Sequence, residues 1–352
     1  MLILFQKETL ADFLGKSKAT ALLFTHNWGG GTEQYIRNIY SADSFLIVRK
    51  VAFRDRDLFF SVEDSVSHRV VYICESELSL LFRKDYHFLV VNSLCGYSKL
   101  SNIFKSCINA KINNSGMRLL YLVHDFHCVC PTIHLMCEGF YCYLQCEKLK
   151  CDFRETNYSI SEWRNMWRTF LENTDEIRCF SESSKEIIMT AYPTLDRNKI
   201  TVVPHDMSYS KFTPINIKNQ DNPVYGVVGA CQSEIKGGRV MQTILEKVPE
   251  NIRFVFVGTK KSKLKTNRKN VVFLGKYKQD ELQQILEREN VTHVIFPSVC
   301  PETFSYVVSE IMQMQLPIYC FNLGAQAEKV SKYDKGVVCE SVEEMINKIS
   351  TY

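Results

Sequence analysis

Short apolar runs separated by polar, helix-like stretches set the rhythm of this chain. ALLFTHNW (21–28), HFLVVNSL (87–94), RLLYLVHD (118–125), IRCFSES (177–183) and ITVVPHD (200–206) each carry a hydrophobic run and end in polar residues. A polar stretch, SKFTPINIKNQDNP (210–223), interrupts the series. It restarts with VYGVVGA (224–230), RFVFVG (253–258), VVFLG (271–275), HVIFPS (293–298) and PIYCFN (317–322). Strands buried on both faces lose the alternation of half-exposed ones, so the pattern predicts parallel sheets covered by helices on both sides. The expected architecture is two doubly wound, Rossmann-like α/β domains, residues 1–206 and 224–352, with a linker at 207–223. Such sheets bind ligands beyond the carboxyl ends of their strands, which points to the residues after each apolar run and to a central cleft that the domains face.

Composition narrows the function. A length of 352 residues favours two domains, and 45% hydrophobic with 23% charged residues suits full cores. Forty-three basic and 39 acidic residues leave a net charge of +4, too little to argue for a nucleic-acid partner. That charge suits an anionic small molecule or a peripheral contact with a membrane surface. No apolar run reaches transmembrane length. The start, MLILFQKETLADFLGK, has neither a basic lead nor a small-residue cleavage site, so it does not read as a signal peptide. The expectation is a cytoplasmic protein whose 14 cysteines are mostly reduced. The basic run KKSKLKTNRK (260–269) reads first as a solvated loop, with a membrane or phosphate contact as the alternative.

Five segments carry candidate chemistry. In CPETFSYVVSE (300–310), Glu302 and Glu310 stand eight positions apart around an expected helix at 303–316. Eight helical positions rise about 12 Å, too far for two carboxyls to share a proton but right for gripping the two ends of one long ligand. The N–H groups of Thr303, Phe304 and Ser305, at the positive end of that helix, favour an anion between them. A nucleoside diphosphate sugar has that shape; a solvated helix with two ordinary glutamates is the bland alternative. THNWGGGTEQY (25–35) places three glycines between a strand and a helix but matches neither a dinucleotide nor a P-loop fingerprint. In GACQSEIKGG (229–238), Lys236 can set a point charge on a phosphate. In LVHDFHCVCP (122–131), His124 ends a buried strand as a hydroxyl contact or proton carrier, and Asp125 follows it. Cys130, Cys142, Cys146 and Cys151 admit a zinc site in principle, although no CxxC pair occurs. Asp55-Arg56-Asp57 is the lone DxD sequence and reads as a solvated turn, so no divalent metal is expected.

Taken in order, these segments resemble the retaining glycosyltransferases of the GT-B fold, family four (glycosyl transferases group 1), most closely from 224 to 339. The resemblance rests on the Gly29–Gly31 loop, His124, VVPHD, VVGACQSEIKGG and FPSVCPETFSYVVSEIMQMQLPIYCFNLGAQAE. It implies transfer of a sugar from a nucleoside diphosphate donor to a glycan or lipid-linked acceptor, without a cofactor. It implies that Glu310 binds the donor ribose and that Glu302 contacts the transferred sugar. Lys236 and residues 303–305 would hold the diphosphate. His124 would touch the donor sugar, Gly30 and Gly31 would approach the diphosphate and acceptor, and Tyr277 would lie near the base. HDFHCVCP resembles the subset that builds bacterial cell-surface polysaccharides, which implies work at the inner face of the membrane. Two departures stand out. Ala230 or Cys231 occupies the place of a frequent arginine, and Ser305 that of a glycine. The missing cation keeps a non-catalytic partner subunit in view as an alternative, beside a nucleotide-sugar epimerase of the same architecture.

Overall fold

The computed structural model describes residues 8–39, 44–51, 59–149, 151, 158–217, 222–231 and 233–351. The chain divides into two compact units. The first comprises residues 1–133, 152–180 and 185–205; the second comprises 134–151, 181–184 and 206–352. Residues 134–151 and 181–184 thus group with the second unit although they lie within 1–206. Asp55-Arg56-Asp57 lies outside the described residues.

The first unit is built on one sheet. Its strands are β1 (Ala21–Thr25), β2 (Phe45–Val51), β3 (Phe59–Asp64), β4 (Val70–Cys74), β5 (Phe88–Val91) and β6 (Arg118–Leu122). The short hairpin β7 (Met136–Cys137) and β8 (Phe140–Tyr141) follows in the chain, then β9 (Glu176–Cys179) and β10 (Ile200–Val202) complete the sheet. The order is β10-β9-β6-β5-β1-β2-β3-β4; the β2–β3 and β3–β4 pairs are antiparallel, so β3 alone runs against the other strands, and the remaining pairs are parallel. The five apolar runs of the first half are the five neighbouring strands β1, β5, β6, β9 and β10. β3, next to the edge strand β4, alternates half-buried and buried positions, as expected near the end of a sheet where one face meets solvent.

The second unit holds β11 (Val224–Val228), β12 (Arg253–Val257), β13 (Val271–Gly275), β14 (His293–Phe296), β15 (Ile318–Phe321) and β16 (Gly336–Cys339). Their order, β13-β12-β11-β14-β15-β16, is all parallel. Alternate side chains of one strand enter opposite cores. Tyr225 and Val227 pack with Phe254, Phe256, Ile295 and Met241 on one face. Val224 and Val228 pack with Val255, Val257, Val294 and Ile311 on the other. Each fully buried side chain of this size contributes about 1.5–3 kcal/mol, which is why these strands read as unbroken apolar runs. The order reverses direction beside β11, so β11 and β14 carry the loops where ligands of open α/β sheets bind.

Candidate functional site

In the second unit, the segments after β11 and β14 are locked together. Gly237 has φ +84° and lies so near β14 that a Cβ would stand 2.1 Å from the Pro297 carbonyl oxygen. The carbonyl of Ile235 accepts the Val299 N–H at 3.1 Å and the Ser298 hydroxyl at 3.3 Å. This close approach brings Lys236 onto the carboxylate of Glu302, with which it forms an ion pair. Burial works against the Lys236 charge, but Glu302 and Cys300 outweigh it, and the ammonium is held above its ordinary range.

Glu302 is held from behind as well. Its N–H donates to Gln326 Oε1 at 3.0 Å, its carbonyl accepts the Ala325 N–H at 2.9 Å, and Gln326 Nε2 donates to the Cys300 carbonyl at 2.8 Å. Gln326 is completely buried. Gly324, at φ +57°, leaves 2.6 Å between an added Cβ and the Glu302 nitrogen, so only glycine lets the two backbones meet.

The helix that follows spans Tyr306–Gln313, not the expected 303–316. Thr303, Phe304 and Ser305 form a turn ahead of it. Ser305, its N-cap, sits at φ 62° and ψ 93°, a conformation that L-residues rarely adopt. Its hydroxyl does not cap the helix and is buried with no partner. The helix starts three residues late because the carbonyl of Ser305, not that of Glu302, begins the ladder, accepting the Ser309 N–H. Glu310 is the fifth residue of this helix. It is buried, burial raises its carboxyl above the ordinary range, and Gln279 Nε2 donates to it. Tyr277 stands beside it, its phenol pushed up first by burial and then by Glu310. The unit therefore gathers Lys236, Glu302 and the 303–305 turn at one pole and Glu310, Gln279 and Tyr277 at the other.

In the first unit, the segments after β1, β6 and β9 and the residues beyond β10 converge on a histidine nest. The His124 ring lies 4.7 Å from Tyr35, 4.5 Å from Phe180 and 5.4 Å from His205. Burial, with His205 and His26 nearby, holds its imidazole well below the ordinary value, so it is neutral at pH 7. Asp125 is half-buried, and its carboxylate is already engaged. It accepts the Ser93 hydroxyl at 2.8 Å, the Cys95 thiol at 3.1 Å and the His127 N–H at 2.9 Å. Gly29 and Gly30, both at φ 75°, make the turn that starts the helix Gly31–Ile39. Exposed Trp28 stacks on His26 at 5.1 Å beside them.

Cys130, Cys142 and Cys146 are buried and Cys151 is half-buried; among the described residues no group of three or more His, Cys, Asp or Glu is arranged to hold a metal ion. Cys231, which with Ala230 is a candidate for the place of the frequent arginine, is buried, and its N–H donates to Thr259 Oγ1 at 3.1 Å. Among the described residues no helix is long and apolar enough to cross a membrane.

Three functional candidates escaped the sequence reading. Gln279 gave no signal within a polar stretch. Gln326 and Lys329 lie on the helix Gly324–Val330, and spacing offered a clue to both. Ala325 and Lys329, like Gln326 and Val330, are four apart, so each polar residue shares a stripe with a buried apolar one.

Residues 222–352 match the model of the family described as glycosyl transferases group 1. None of the curated proteins compared matches the sequence. Solved structures share the whole architecture. Sucrose-phosphate synthase of Thermosynechococcus elongatus superposes with a TM-score of 0.61 at 15% identity, covering 95% of this chain and 89% of its own. HepE of Anabaena in complex with UDP-glucose gives 0.57 at 14% identity, covering 94% and 88%. The lipopolysaccharide outer core galactosyltransferase WaaB, in its apo form, gives 0.51 at 14% identity, covering 94% and 89%. The fold is that of the GT-B glycosyltransferases, two Rossmann-like α/β domains. The second unit carries the group 1 sequence pattern.

Proposed function

We propose that this protein is a retaining glycosyltransferase that moves a sugar from a nucleoside diphosphate donor to an acceptor hydroxyl. The observation that carries the reading is the two-pole arrangement of the second unit: a Lys236–Glu302 pair beside the 303–305 turn, and a buried Glu310 on the helix Tyr306–Gln313 that follows the turn. A buried carboxylate whose proton affinity is raised is retained for binding more often than for stability. Glu310 and Gln279 take the donor ribose hydroxyls, and Tyr277 borders the base. Lys236 and the turn hold the diphosphate. Glu302 contacts the transferred sugar, and its own N–H and carbonyl are fixed by Gln326 and Ala325 so that the carboxylate is preorganised. His124, neutral, donates or accepts a hydrogen bond on the sugar, and Gly30 and Gly31 leave room for diphosphate and acceptor.

As the bond to the sugar breaks, negative charge grows on the diphosphate. Lys236 and the turn's N–H groups stabilise it without reorganising, which is where most of the rate enhancement would arise. A same-face attack, with the departing phosphate oxygen taking the acceptor proton, needs no protein nucleophile and no metal. The acceptor is a glycan or a lipid-linked sugar of a surface polysaccharide, worked on at the inner face of the membrane. The resemblance of HDFHCVCP and the fold shared with WaaB support this.

Ala230 or buried Cys231 in the place of the arginine that the resemblance implies favours one rival, a partner subunit that binds nucleotide without turnover. Calorimetric titration with UDP, GDP, dTDP and ADP in EDTA decides. One nucleotide is expected to bind without metal, and Glu310→Ala to weaken it about 10- to 100-fold, the loss of a hydrogen bond to a charged group. No binding of any of the four sinks the reading; binding with no donor hydrolysis or transfer selects the partner subunit.

A further inference from the structure

Lys329 is half-buried in the last turn of the helix Gly324–Val330, whose Ala325, Gln326, Ala327 and Val330 are buried. Enclosing an ammonium there costs desolvation and rotamer entropy, so its surroundings call for an explanation. The Nζ donates to Ser309 Oγ at 2.6 Å and to the Ser305 carbonyl at 3.3 Å, and lies 3.2 Å from the centre of the Phe304 ring. The Ser305 carbonyl also accepts the Ser309 hydroxyl at 3.2 Å and the Ser309 N–H at 3.5 Å. Three donors therefore converge on one carbonyl, in a residue with left-handed φ and an unpartnered buried hydroxyl. Strain and an unsatisfied hydroxyl in the same residue mark a turn kept for function. The charged groups facing Lys329 are Glu302 on the turn and Glu328 on its own helix. Lys236 holds the same Glu302, and the helix Tyr306–Gln313 adds its positive end. Burial outweighs both carboxylates and lowers the Lys329 ammonium to about 7.

We propose that Lys329 supplies the second cation of the donor site, as a positioning residue that takes a proton from solvent when a nucleoside diphosphate binds and clamps the Ser305 carbonyl behind the phosphates. This assignment rests on donor binding at that turn. The chemistry balances as amine plus solvent proton giving ammonium. A cation that is partly neutral in the empty site lowers self-repulsion with Lys236 and becomes full when the anion arrives.

Titration with UDP at pH 6 and pH 8, each in two buffers of different ionisation enthalpy, reads affinity and protons taken up together. Wild type is expected to take up nearly one more proton per UDP than Lys329→Met at pH 8, and no more at pH 6. Its affinity advantage over Lys329→Met should be about tenfold larger at pH 6 than at pH 8, the effect of one pH unit beyond the transition. Lys329→Arg should restore binding while losing the extra proton. Equal proton uptake in wild type and Lys329→Met at both pH values overturns the assignment while leaving the donor reading intact. Failure of wild type to bind any of the four nucleotides overturns both. If neither variant folds, wild type alone decides at pH 8, where UDP is fully ionised: uptake near one supports the assignment and uptake of zero overturns it.

Discussion

Glu310 is destabilising where it stands. Its carboxyl is buried and its proton affinity is raised, so the folded state holds a proton more tightly than the unfolded chain does. The stability this gives is present below the ordinary glutamate range and is lost as pH rises through the folded-state value. Near neutral pH the charge is therefore a cost, relieved in part by Gln279. Glu310→Gln keeps the shape and removes the charge. Its expected effect is a rise of about 2–4 °C in the unfolding midpoint of the second unit, the shift that roughly 1 kcal/mol produces in a domain of this size. Nucleotide affinity should fall in the same variant. Scanning calorimetry with and without UDP measures both, and a lower midpoint in the free variant would mean that the carboxylate is structural. Gly324 and Gln326 act one step removed, since each fixes Glu302 without being able to replace it.

At the scale of elements, the turn before Tyr306–Gln313 is the informative piece. Ser305 carries both a left-handed backbone and an orphaned hydroxyl. Ser305→Gly removes about 1–2 kcal/mol of steric cost and the unsatisfied group, against about 0.5–1 kcal/mol of added freedom in the unfolded chain. The variant is expected to be at least as stable as wild type in urea unfolding and to keep nucleotide binding through its backbone N–H groups. A loss of several kcal/mol would show that the hydroxyl has a partner in the working protein. This turn also shows where the sequence stopped being legible. Ten of the parallel strands among the described residues could be read because burial leaves a short unbroken apolar run. The Glu-x7-Glu spacing and the Lys-Gly-Gly segment were legible for the same local reason. The late start of the helix was not, because it depends on Lys329 and Gln326, some twenty residues away. β2, β3, β4 and β16 were missed as well. Toward the β4 edge the strands interleave charges, as β2 does with Arg49 and Lys50 in its half-buried second part, and their pairing is settled by partners distant in sequence.

At the scale of the whole molecule, acid should separate the two units. Burial is the main cause that lowers His26, His124 and His127, all in the first unit. A histidine lowered in the folded state binds its proton more readily when unfolded. Its contribution is therefore complete above the ordinary value of about 6.5 and is lost as pH falls below it, by up to about 1.4 kcal/mol per pH unit for each group. In the second unit, half-buried His293 acts in the same direction, but Glu310 opposes it, gaining stability as pH falls toward the glutamate range. Lys329 adds no slope below about 7, where both states hold its proton. Thermal unfolding followed from pH 7.5 to pH 5 should therefore show the first unit's transition moving to lower temperature while the second unit's stays nearly fixed. His124→Phe, which keeps a ring among Tyr35, Phe180 and His205 but cannot be protonated, should flatten the pH dependence of the first transition. Two transitions that move together would show that the units unfold as one. A first transition unaffected by His124→Phe would assign the acid sensitivity to His26 and His127 instead. Because His124 is the residue assigned to the sugar, the same variant links this stability to function, and it should reduce transfer at pH 7.5 even where the fold is fully formed.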